Sequence, residues 1–127
     1  EKYNDTPAAI CLGIYLLGAI FYVFQLLFMT EEWLANELIG PEAIGVARVL
    51  GFAYLGYIAG LIMTYKNGPD GHGIFFISLL VAQIGTFLNL WHQHLIVGIT
   101  TTLDDAIIVS VLTALLLVAY IRIRSRL

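Results

Sequence analysis

Four long apolar runs alternate with short polar ones along the chain. Each run approaches the roughly 20 residues that carry an α-helix across a bilayer at about 1.5 Å per residue. The pattern predicts spans over 8–29, 43–65, 74–95 and 103–123. The third is the most informative: between Ile74 and His94, the polar residues Gln83, Thr86, Asn89 and Gln93 recur on one helical stripe at about 100° per residue. Ala82 falls inside the same arc and Gly85 beside it. Lipid gives an amide nothing to hydrogen-bond, so this stripe is expected to face other helices.

The remaining spans carry their own marks. Asp5-Thr6-Pro7 reads as a helix start, with Pro near the first helical position. The first span is free of charge, with Gln25 as its strongly polar residue, and Tyr15, Phe21, Tyr22, Phe24 and Phe28 are expected to pack on neighbours and lipid. The second places Arg48 about one and a half turns inside its start. Its Gly51, Gly56 and Gly60 follow Ala47 at close-crossing spacing and are expected to let another helix approach. In the fourth, Thr102-Leu103-Asp104-Asp105 resembles an N-terminal cap, with acidic residues where the helix dipole favours them.

The connections are short. Thr30 to Pro41 mixes Glu31, Glu32 and Glu37 with Trp33, Leu34 and Leu38 at helical spacing, which predicts an interfacial helical turn with the indole at headgroup level. Asn67-Gly68-Pro69-Asp70-Gly71 is a chain reversal, and its glycines do not follow the order of a phosphate loop. His72 is expected to be a solvated loop residue.

Composition removes any soluble alternative. Sixty per cent of the residues are hydrophobic and 12% charged, and mean hydropathy is +0.89, where a soluble domain carries about 25% charged residues. The expected fold is all-α, an integral membrane antiparallel four-helix bundle formed as one transmembrane domain. Lys2, Lys66, Arg122, Arg124 and Arg126 fall on one side of such a chain, and Glu31, Glu32, Glu37, Glu42, Asp104 and Asp105 on the other. Both termini are therefore assigned to the basic side, facing cytoplasm, matrix or stroma. The basic tail suits anionic headgroups. Nucleic acid is excluded as a partner, because the basic residues are spread over a membrane face. Cys11 is the only cysteine, so no intrachain disulfide forms. A sequence opening at Glu1 fits a cleaved targeting segment, which favours an organellar membrane, thylakoid or mitochondrial inner, over a bacterial inner or plasma membrane.

Candidate chemistry is sparse. The order of the helices brings Arg48, Asn89, His92, His94, Asp104 and Asp105 to the acidic end, where Arg48 is expected to pair with Asp105 or Asp104 and fix helix register. His92 and His94 lie two apart and point about 200° away from each other on a helix, so a shared metal ion is not expected unless the helix unwinds there. No catalytic residue is assigned, for no nucleophile stands at a base's spacing.

An apolar opening span, an acidic loop with Pro41, a second span reading ARVLGFAYLGYIAG and a polar third span reading QIGTFLNL together resemble the DoxX-like small four-helix membrane proteins. The resemblance is one of layout. It implies four antiparallel helices and transfers no activity or site residue.

The first functional expectation is a non-catalytic accessory subunit of a larger membrane complex, photosynthetic or respiratory, whose partners are other membrane subunits and the lipid bilayer. His92, His94, Asn89, Gln83 and Gln25 are its candidate contacts to chlorophyll, carotenoid, haem or lipid. The second is an oligomeric transporter or channel, with Gln83, Thr86 and Asn89 as a polar path. The third is a membrane enzyme using a histidine and a carboxylate.

Overall fold

The computed structural model describes residues 2–99 and 103–127. Among them all regular structure is helical, and four helices are long and apolar enough to cross a membrane. We number the elements α1 (Thr6–Phe28), α2 (Thr30–Asn36), α3 (Ile44–Asn67), α4 (Gly73–His92) and α5 (Leu103–Ile123). A 3-10 turn at Pro41–Ala43 leads into α3, a π-helical turn at Gln93–Val97 extends α4, and a 3-10 turn at Arg124–Arg126 follows α5. The four long helices α1, α3, α4 and α5 match the four expected spans within a few residues, and the expected interfacial turn is α2.

Local chemistry sets the boundaries. The Asp5 carboxylate accepts from the Ala8 N–H at 3.2 Å, capping α1 with Pro7 in its first turn. The α3–α4 reversal uses Gly68 and Gly71 at φ 85° and 78°, a left-handed backbone that a side chain would strain. Gly98 closes the π turn at φ 86°. The expected Thr102 cap of α5 lies outside the described residues.

Close backbone packing joins α1 to α3, α1 to α5, and α4 to α5. The α3–α4 seam is bridged instead by rings: Tyr57 packs on Phe75 with centroids 6.4 Å apart. The Phe75 ring occupies the space that a side chain at position 60 would need, so any residue larger than Gly60 would have to displace that ring. Gly51 likewise lets α3 approach Leu26 and Leu27 of α1, whereas Gly56 meets nothing and stands exposed. The glycine stripe thus serves packing within the chain at two of its three positions.

The core is lopsided. Tyr3, Leu12, Tyr15, Leu61, Phe76, Leu79, Leu116 and Ile123 form a large buried cluster in the half of the bundle nearer the termini. A second, small cluster of Leu26, Leu34 and Ala47 sits under α2 at the opposite end. Beyond Gln83 no residue of α4 is fully buried, although Thr86, Phe87, Leu90 and Trp91 stay half-buried.

The two ends are built differently. At the terminal end, Arg126 bonds both oxygens of Asp70 at 2.9 and 2.8 Å, and also the carbonyls of Lys2 and Tyr3. Arg122 bonds Asp5 at 2.9 Å, and the Tyr3 hydroxyl meets Thr64. Lys2, Lys66 and the three arginines share this end, and both termini lie on the basic side. Within the basic tail, Arg122 and Arg126 are engaged by carboxylates of the same end.

Candidate functional site

A polar side chain inside an apolar bundle must end its hydrogen bonds within the protein. The inward stripe of α4 does so through Gln83, buried where α1, α4 and α5 meet. The Tyr15 hydroxyl donates to Gln83 Oε1 at 2.8 Å, Gln83 Nε2 donates to Thr113 Oγ1 at 3.0 Å, and Thr113 donates to the Val109 carbonyl at 2.7 Å. One turn further, the Thr86 hydroxyl donates to the Ala82 carbonyl at 2.8 Å. Its oxygen is then left to accept from Tyr54, 2.8 Å away across the α3–α4 seam. Trp91 Nε1 donates to Ser110 Oγ at 2.8 Å, and Ser110 donates to the Ala106 carbonyl.

Each of these relays terminates on a helix carbonyl that already belongs to a backbone turn. Together they tie α4 by hydrogen bonds to α1, α3 and α5.

The stripe does not continue as far as its spacing suggests. Gln83 and Thr86 face inward as expected, but Asn89 is exposed and Gln93 half-buried. The physical reason is angular: Asn89 lies about 120° around the helix from Gln83, on the edge of the exposed face, whereas Phe87 and Leu90, closer to the Gln83 direction, are half-buried. Gln25 is half-buried near the end of α1, without a side-chain hydrogen bond among the described residues.

At the acidic end, the expected pairing of Arg48 with Asp104 or Asp105 is corrected. The two ion pairs among the described residues are Arg122–Asp5 and Arg126–Asp70. The inward face of α3 is set by Ala47, Gly51, Ile58 and Leu61, and one residue's rotation from Ala47 turns Arg48 outward, into a groove between α1 and α3. Asp105 instead meets Glu37, at the end of α2. Burial, then the hydrogen bond to Asp105, then its negative charge push the Glu37 carboxyl up to about 7. Glu31, Glu32, Glu42 and Asp104 are exposed.

His92 is exposed, and His94 is half-buried, edge-on to Trp91 with ring centroids 5.9 Å apart. Its Nδ1 is enclosed and has no hydrogen-bond partner among the described residues. Although the winding does change at Gln93, no group of three His, Cys, Asp or Glu side chains gathers among the described residues to hold a metal ion.

Comparison of the chain with protein families, with curated proteins and with solved structures finds no match. The functional reading rests on the residues themselves.

Proposed function

We propose that the chain is a non-catalytic accessory subunit of a larger membrane assembly, in an energy-transducing organellar membrane, thylakoid or mitochondrial inner. The observation that supports this reading most is the contrast between a closed interior and an unfilled exterior. Inside, the hydroxyl relays end on backbone carbonyls. Outside, Ala53, Gly56, Tyr57, Gly60 and Phe75 line an open groove of about 450 Å³ along the α3–α4 seam. Gly56 at its floor has no atom within 4 Å of the place its side chain would occupy. A shallow trough floored by small residues is what a neighbouring transmembrane helix needs for close approach. Polar contacts to pigment, haem or lipid at the subunit boundary fall to His92 and His94, with Asn89 exposed beside them.

Blue-native electrophoresis of gently solubilised source membranes tests the proposal. The chain is expected to migrate with a complex several times its mass, and Gly56→Leu to release it while its helical content stays unchanged. An isolated monomer or dimer, equally populated in both variants, overturns the reading.

A further inference from the structure

The α1–α3 groove lies on a different face from the glycine-floored trough. It has a volume of about 570 Å³ and an almost wholly apolar lining, with Ile20, Phe24, Phe28, Phe52 and Leu55 among its walls and Arg48 as its one charged residue. The Arg48 side chain is exposed and has no ion pair among the described residues. A cation at the head of an apolar furrow is an amphiphile's complement, and its depth identifies the amphiphile.

The span that includes α3 runs 27 residues from Pro41, about 40 Å, which equals a hydrocarbon core of about 30 Å with about 5 Å of headgroup layer at either end. Arg48 is seven residues from Pro41, so its Cα lies about 10 Å along that axis, about 5 Å inside the hydrocarbon edge. A guanidinium on a flexible stem reaches the headgroups from there. The opposite end of the groove is Ile58, ten residues on, about 15 Å deeper and just past the bilayer centre. The furrow therefore runs the depth of one leaflet, from phosphate level to chain ends.

We propose that this groove binds one anionic phospholipid from the leaflet at the acidic end, its phosphate on Arg48 and an acyl chain along α1 and α3. The site stands independently of the subunit reading, because it needs only a bilayer. It also supplies the outward-facing Arg48 with an acceptor, since a phosphate offers two oxygens to the guanidinium fork.

The test is native mass spectrometry of the full chain in non-ionic detergent, mixed with phosphatidylglycerol or phosphatidylcholine of identical acyl chains. The wild type is expected to retain one phosphatidylglycerol, at about fivefold preference over phosphatidylcholine. Arg48→Leu is expected to bring that ratio to about one, and Leu55→Trp, which fills the lower groove, to reduce retention of both lipids. Arg48→Lys adds a measurement that does not depend on removing the charge: phosphatidylglycerol is expected to slow amine labelling at this position, and phosphatidylcholine is not. Equal retention of the two lipids by the wild type overturns the proposal, as does an undiminished preference in Arg48→Leu. Recovery of a lipid-free dimer that Arg48→Leu dissociates also overturns it, assigning the groove to a second copy of the chain.

Discussion

The two ends of this bundle solve the same problem in opposite ways. At the terminal end, carboxylates and guanidinium groups meet each other and the helices close over a large core. At the other end, two carboxylates meet each other, the nearby arginine faces away, and the last turns of α4 before its π-helical turn bury no residue completely. Charge and packing vary together: where opposite charges cross-link the helix ends, the helices are held close enough to bury Phe76, Leu12 and Ile123 completely. Where like charges gather, only Leu26, Leu34 and Ala47 remain as a compact nucleus. Rigidity is thus expected to be concentrated in one half of the membrane thickness.

The sharpest challenge to this contrast compares one truncation in each cluster. Phe76→Ala is expected to destabilise the protein by about 4 kcal/mol and Leu34→Ala by about 2 kcal/mol, since the cost follows the cavity that the surroundings cannot refill. Reversible unfolding in mixed micelles measures both. Equal losses would mean that the small cluster is as firmly held as the large one.

Gln83→Leu comes next. It keeps the volume but strands the Tyr15 hydroxyl, and buried hydrogen bonds between membrane helices are worth about 0.6 to 1.7 kcal/mol each. A loss of about 1 kcal/mol is expected by the same unfolding measurement, because the change falls at the boundary between the two halves. Arg126→Ala is expected to act more locally. Amide hydrogen exchange in the α3–α4 loop and the last turn of the chain should quicken several-fold, with the acidic end unchanged.

The smallest effect is the response to pH, where the two ends are expected to move in opposite directions. Glu37 keeps its proton in the folded chain up to about 7, against 4.5 as the ordinary value. Its contribution is complete below 4.5 and is lost as pH rises through about 7. Arg122 holds the Asp5 carboxyl, and Arg126 the Asp70 carboxyl, below the usual value of 3.8. Their contribution is present above 3.8 and is lost as pH falls below it. Hydrogen exchange followed from pH 3 to 9 should therefore show α2 loosening toward alkali and the terminal end loosening toward acid. Glu37→Gln should abolish the first trend and leave the second in place.

Much of this architecture was legible in the residues. Apolar run length located the four spans, Asp5-Thr6-Pro7 located a helix start, and the 100° stripe on α4 pointed Gln83 and Thr86 inward. Asn89 escaped that reading because the stripe was drawn too wide: it lies about 120° around the helix from Gln83, where the inward face has given way to the exposed one. Arg48 was misplaced for a different reason. Topology fixes which residues share an end, but rotation about the axis decides what they touch, and the Ala47-Gly51 edge that sets the rotation of α3 was read only as a packing motif. Lying a residue beyond Ala47, Arg48 had to turn away from Asp104 and Asp105. The tie between Glu37 and Asp105 was hidden by the usual expectation that like charges avoid each other, which holds only while both are ionised.

Both tryptophans of the chain, Trp33 on α2 and Trp91 near the end of α4, belong to the looser half. The indole of Trp33 stands edge-on to Tyr22 at 6.1 Å, and that of Trp91 bonds Ser110. Emission excited at the red edge of protein absorbance is therefore a built-in, one-sided gauge: it reports what happens beneath the acidic surface and ignores the opposite half, whose rings are tyrosine and phenylalanine.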